Sequence, residues 1–180
     1  DGDTSTNDMV VAMASGLAGN AELGPDHPDW SRFAAAFTHV CEELAKAIAR
    51  DGEGATKLIE VRVEGAASDD DARAIAKTVI GSSLVKAAMF GADANWGRII
   101  AAVGRAGRPI DPAKVDISIG PIRVLEQSRP VPFDEDEALA YLKGGTIRID
   151  VNLNIGTGRA VGWGCDLTYD YVRINAAYRT

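Results

Sequence analysis

Histidine and cysteine are scarce in this chain, with two of each in 180 residues, and the scarcity removes whole classes of chemistry. His27 lies in a Pro-rich loop and His39 in a helical stretch, so neither heads a triad or a metal set. No CxxC, HExxH or calcium-loop order of ligands occurs. Cys41 and Cys165 form no disulfide or metal pattern, which suits a reducing compartment and makes the cytoplasm the expectation. No apolar run has the length of a membrane span, and no signal peptide opens the sequence. The formal charge of −7 argues against nucleic acid or an anionic membrane as partner and is compatible with a basic, amino-acid-like ligand. Gly156-Thr157-Gly158 with Gly162 misses the dinucleotide spacing and reads as a turn. Gly104-Arg105-Ala106-Gly107 lacks the Lys-Ser/Thr of a phosphate loop. A self-contained enzyme is hard to draw from these residues alone.

What is present is an ordinary soluble composition, 46% hydrophobic and 25% charged, long enough for one domain or two small ones with a substantial core. Apolar residues at Phe33, Phe37, Val40, Cys41, Leu44 and Ile48 have helical spacing, which predicts a helix over 30–50 that stops at Asp51-Gly52. Met9–Ala14 reads either as a buried strand or as part of a helix capped by Thr4 or Ser5. The stretch 58–66 alternates as a strand with one wet face. Ser68 and three aspartates open a helix that runs to about Ile80, their charges at its positive end. Shorter helices are expected over 84–88, 96–106 and 134–143, and paired strands over 115–125 around Gly120-Pro121. A strand over 147–155 is expected to pair with 160–165 across the Gly156–Gly158 turn. The fold class is α+β, with mixed, mainly antiparallel sheets sandwiched with helices.

Four segments carry candidate chemistry. The terminal CDLTYDYVRINAAYRT keeps Leu167, Tyr169, Tyr171, Val172, Ile174 and Tyr178 to the end, which predicts a tail docked into a core. Docking would fix Asn175 and the carboxylate of Thr180, a pair able to hold an ammonium group; a docked helix without chemistry is the plainer reading. In DGEGATK, Glu53 stands between two glycines on backbone that can approach a ligand, although the same segment also reads as a glycine-rich helix stop. In FGADANWGR, Asp93 or Asn95 caps a helix, with Trp96 buried and Arg98 paired to a carboxylate; capping is favoured over substrate contact. Asp1–Asp8 reads as a turn inside a domain, pinned by short side chains, as if sequence upstream of it were cut away or left out.

Together, DGDTSTND (1–8), DGEGATK (51–57), SLVKAAMFGADANWGRIIAAVGRAG (83–107) and the terminal segment (165–180) closely resemble the bifunctional glutamate N-acetyltransferase/ornithine acetyltransferase family of arginine biosynthesis. The blocks occur in the family's order and reach both ends of the chain; 19–30 and 108–137 resemble it less. The resemblance implies an ornithine-acetyltransferase-like fold and a precursor that cleaves itself before a threonine into α and β chains. Residues 1–180 would then be most of the β chain, completed by an upstream segment and the α chain in an α2β2 assembly. The nucleophilic threonine would lie upstream of Asp1, so no catalytic residue is assigned within this chain, and Thr4 and Thr6 are not substitutes.

The resemblance also implies an activity. Acetylornithine gives its acetyl group to the threonine, ornithine leaves, and glutamate takes the group. Donors for the oxyanions are expected in the α chain. The family's substrate-binding residues fall on Glu53, Asn175 and Thr180. Glu53 and the Thr180 terminus would answer substrate ammonium groups, and Asn175 would orient a carboxylate or amide. No metal or organic cofactor is implied, with acetyl-CoA open as an acetyl-donor substrate in bifunctional members. Two rival readings are a related self-processing aminopeptidase and a non-enzymatic binding or assembly subunit.

Overall fold

Residues up to Ala45 and residues from Lys46 onward form two units, and the computed structural model describes residues 2–3 and 6–177. In the first unit Met9–Ala14 is neither strand nor helix. Met9 and Val10 are 80% exposed and Met13 92%. A lone extended segment has no ladder to satisfy its backbone, and among the described residues no strand pairs with it. The caps expected from Thr4 and Ser5 lie outside the described residues. Helix α1 (Trp30–Arg50) forms as its spacing predicts. Phe33 and Phe37 stack 6.0 Å apart along it, and its apolar residues Phe33, Phe37, Val40, Leu44 and Ile48 remain exposed.

The second unit holds, in chain order, β1 (Leu58–Ala66), α2 (Asp69–Ile80), α3 (Ser83–Phe90), α4 (Trp96–Arg105), β2 (Asp116–Ile119), β3 (Ile122–Glu126), β4 (Arg129–Pro130), α5 (Glu135–Leu142), β5 (Thr146–Asn152), β6 (Gly158–Cys165) and α6 (Tyr169–Ala176). Its strands make one six-stranded sheet in the order β4-β3-β2-β5-β1-β6, in which only β1 and β5 run parallel. The mixed, mainly antiparallel α+β class therefore holds. Side chains alternate across the sheet. Ile59, Val61 and Val63 of β1 and Ile147, Ile149 and Val151 of β5 stand in register on the buried face. Helix α2 packs on β1 and β6, burying Ala72, Ile75, Ala76 and Val79; each fully buried Ile or Val contributes about 1.5–3 kcal/mol. Gly162 and Gly164 let Ile80 lie directly on β6, where a Cβ would collide with it. The other face is polar. Arg62 pairs with Glu60 at 2.7 Å, Arg148 with Asp150 at 2.8 Å, and Trp163 donates its Nε1–H to Glu60 at 2.8 Å.

The expected β5–β6 pairing does not form, because β1 lies between the two strands and β6 is antiparallel to β1. The connection wraps the end of β1: Leu153 N–H donates to Glu64 O, and Ile155 and Gly156 N–H both donate to Gly65 O. Gly156 and Gly158 pass so close to the Ala66–Ser68 backbone that no Cβ fits at either. The glycines thus serve a crossing over a strand end rather than a hairpin. The hairpin around Gly120 forms as expected, with Gly120 at φ +58. Strand β4 follows a turn built on Gln127 and Ser128, both at positive φ without glycine.

Candidate substrate site

The loop between α1 and β1 carries Glu53 out of the sheet edge. Gly54 is left-handed at φ +67, and a Cβ on it would stand 2.8 Å from the Tyr171 backbone nitrogen and 2.9 Å from Asp170 Cβ. Only glycine lets this loop lie against the start of α6. On α6, Asn175 donates from Nδ2 to Glu53 Oε2 at 2.7 Å and to Tyr171 O at 3.0 Å. Two acceptors on one nitrogen fix the orientation of the amide. Glu53 Oε1 and Asn175 Oδ1 make no hydrogen bond among the described residues. Both residues are exposed. The pair therefore offers two adjacent acceptors, one of them on a carboxylate, which is chemistry suited to an N–H-rich cation.

The same loop and helix are joined by a partly buried network around Asp166 and Thr168 that sequence reasoning misses. Asp166 is 3% exposed. Its Oδ1 accepts from Thr56 N–H at 2.8 Å and Lys57 N–H at 3.0 Å, and its Oδ2 from the Thr56 hydroxyl at 2.5 Å. Thr168 caps α6 by accepting from Tyr171 N–H at 3.2 Å and donates its hydroxyl proton to Gly54 O at 2.7 Å. Lys57 donates from Nζ to the carbonyls of Met89 and Phe90 at the end of α3. Burial pushes the Lys57 ammonium below its ordinary value, opposed by the Asp166 charge. The signal was present in Asp-Leu-Thr before a helix, but an N-cap pattern accounts for it without any tertiary role.

Docking of the tail thus differs from expectation. Asp166 and Thr168 are buried, whereas Tyr169 is 83% and Val172 59% exposed and no residue of α6 is fully buried. Polar side chains hold the segment, with an edge contact from Tyr169 to Phe90 at 5.6 Å. Thr180 and Tyr178 lie outside the described residues. In the third segment Asn95 caps α4, accepting from Arg98 N–H at 3.1 Å and donating to Asp93 at 3.0 Å. Arg98 donates to the Leu84 carbonyl at 3.0 Å rather than to a carboxylate, because the start of α3 and not an acidic residue faces it. Trp96 is half-buried against the core.

Among the described residues no three His, Cys, Asp or Glu converge on a metal-sized site, and no helix is long and apolar enough to cross a membrane. The model of the ArgJ family matches residues 1–180. The arginine biosynthesis bifunctional protein ArgJ of Geobacillus stearothermophilus is 64% identical over the whole chain, and that of Bacillus subtilis (strain 168) 52%. The chain spans 44% of the length of each. A crystal structure of arginine biosynthesis bifunctional protein ArgJ from Bacillus halodurans superposes with a TM-score of 0.96 at 62% identity, covering 99% of this chain and 84% of that one. With a family match from end to end and this agreement of fold, the chain belongs to the ArgJ family.

Proposed function

We propose that this chain is most of the β chain of an N-terminal-nucleophile acetyltransferase that moves the acetyl group of N2-acetylornithine to glutamate. The observation that carries the reading is the exposed Glu53–Asn175 pair, in which Asn175 Nδ2 donates to Glu53 Oε2 at 2.7 Å across 122 residues of sequence, in a chain of this family. Ornithine derivatives present ammonium groups, and glutamate arrives as an ammonium before losing a proton to react. An exposed carboxylate beside an amide oxygen recognises that group.

The acyl step runs in two halves. The hydroxyl of an N-terminal threonine upstream of this chain attacks the acetyl carbonyl, its proton passing to the α-amine and then to the leaving amine. The amide C–N bond breaks, and ornithine departs from an acetyl-threonine ester. The glutamate amine then attacks that ester, the C–O bond breaks, and the threonine oxygen regains a proton. Residues 1–180 supply recognition, not the nucleophile. No resident cofactor takes part in either half.

The partner is the remainder of the precursor, cleaved as an α chain and assembled as α2β2 in the cytoplasm. The exposed apolar row of α1, with Phe33 at 45%, Phe37 at 49%, Val40 at 54% and Leu44 at 52% exposure, supports such a partner. So does the 44% share of the relatives' length that the chain spans. The test is intact mass spectrometry of the complete protein with and without N-acetylornithine. A gain of about 42 Da on a β-chain N-terminal threonine, as covalent catalysis requires, supports the reading. A chain that is never processed and never acetylated overturns it.

A further inference from the structure

Asp166 is a buried carboxylate whose bonds all go to the loop that carries Glu53. It takes Thr56 N–H, the Thr56 hydroxyl and Lys57 N–H, while its own N–H donates to Lys57 O at 3.2 Å. Two residues later Thr168 holds Gly54 O and opens α6, the helix that carries Asn175. Gly54 to Lys57 is thus fastened at both ends to the three residues 166–168. The loop also meets α6 through the Glu53–Asn175 bond itself and the close approach of Gly54 to Asp170 and Tyr171. With three donors in place and only 3% exposure, the Asp166 carboxylate is closed to direct contact with a ligand. Its effect is to fix one acceptor-bearing segment against the other.

We propose that Asp166 is a positioning residue for recognition of the substrate ammonium group, setting the separation of Glu53 and Asn175 through Thr56. The inference rests on the reading of that pair as the substrate site. It acts on binding of the amine substrate and leaves the acyl chemistry to groups elsewhere. Breaking the clasp frees the loop by an ångström or so, a displacement large enough to uncouple a hydrogen-bonded pair whose acceptance range is only about 0.5 Å.

The test uses the complete protein bearing Asp166→Asn, Thr56→Val, or Glu53→Gln, and the double variant Asp166→Asn/Glu53→Gln. Asn keeps an oxygen for the two N–H donors but loses the acceptor for the Thr56 hydroxyl; Val removes that hydroxyl alone. The expected result for either is a KM for N-acetylornithine and a Kd for ornithine raised about 10- to 50-fold, with kcat within about threefold of wild type, as for lost uniform binding. In the Glu53→Gln background Asp166→Asn should add less than about threefold, because both act on one contact. Should Asp166→Asn fail to fold, Thr56→Val carries the same expectation. A fall in kcat equal to the rise in KM, an unchanged KM, or effects that multiply in full overturns the positioning role while the substrate site stands. A wild-type protein that binds no ornithine overturns both.

Discussion

Replacing Gly54 by alanine tests the geometry on which the site depends. The residue is left-handed at φ +67, and the new Cβ would lie 2.8 Å from Tyr171 N, 2.9 Å from Asp170 Cβ and 3.0 Å from Asp170 C. The conformation costs an L-residue about 1–2 kcal/mol. The backbone contacts cannot be relieved by a side-chain rotation, so α6 must retreat by several tenths of an ångström. That motion stretches the Thr168–Gly54 bond, now 2.7 Å, and a bond of this kind contributes about 1 kcal/mol. The two terms give about 2–3 kcal/mol against the docked loop, which at about 1.4 kcal/mol per tenfold is a 30- to 150-fold weakening. The assay is steady-state KM for N-acetylornithine in the complete protein, with calorimetric binding of ornithine beside it and circular dichroism to follow the fold. Because β1 is packed on α2, β5 and β6, the spectrum should stay native while KM rises. A variant whose KM and ornithine affinity stay within about threefold of wild type refutes the reasoning, since the loop would then not need to touch α6.

Glu53→Gln keeps shape but removes charge, and a hydrogen bond to a charged group contributes about 1.5–3 kcal/mol. KM for ornithine derivatives should rise about 10- to 100-fold with kcat little changed; steady-state kinetics decides. Phe37→Asp places a charge in the exposed apolar row of α1 and should reduce recovery of the assembled protein on size exclusion; an unchanged assembly would show that this row is not an interface. At Glu60, burial pulls the carboxyl upward, but hydrogen bonds from Trp163 and Arg62 and the charges of Arg62 and Lys46 prevail, leaving it below its ordinary value. A depressed carboxylate stabilises the fold above its unfolded pKa of about 4.3 and loses that contribution as pH falls through its folded value. Thermal melts of wild type and Glu60→Gln should therefore separate near neutrality and converge in acid. Parallel melting curves at every pH would remove Glu60 from the acid response.

Local signals in the sequence carried the elements further than their pairing. Helix α1 follows from Phe33, Phe37, Val40 and Leu44 at helical spacing, and α2 from Ser68, whose hydroxyl accepts from Asp71 N–H. The alternation in β1 and β5 told which residues face the core but not which strand lies alongside. Alternation is a property of one strand, and a partner is chosen by the whole sheet. That is why the sequence pairs β6 with its neighbour β5, whereas in the sheet it lies against β1. Strand β4 has two residues and a turn with positive φ at Gln127 and Ser128, where neither residue type announces the conformation. Glu53 between its two glycines and Asn175 in an apolar tail are each candidates from local sequence, and the resemblance gives them a shared role; their meeting, 122 positions apart in sequence, does not follow from spacing.

The two carboxylates near this site divide their labour by exposure and by bonding. Under the proposed function, a substrate ammonium reaching the loop would meet Glu53, which is exposed and accepts from Asn175 through one oxygen. It does not meet Asp166, which is buried with three donors already in place. A second open carboxylate here would offer the cation a competing position and blur the geometry of the acyl group it carries. Closing Asp166 with backbone and hydroxyl donors keeps its negative charge satisfied and unavailable, while the same bonds hold the loop. An apolar fastening could hold the loop as firmly, but hydrophobic contact has no preferred direction. Hydrogen bonds to Thr56, Lys57 and Gly54 specify both distance and angle, which is what a pair of acceptors needs if it is to recognise one N–H group.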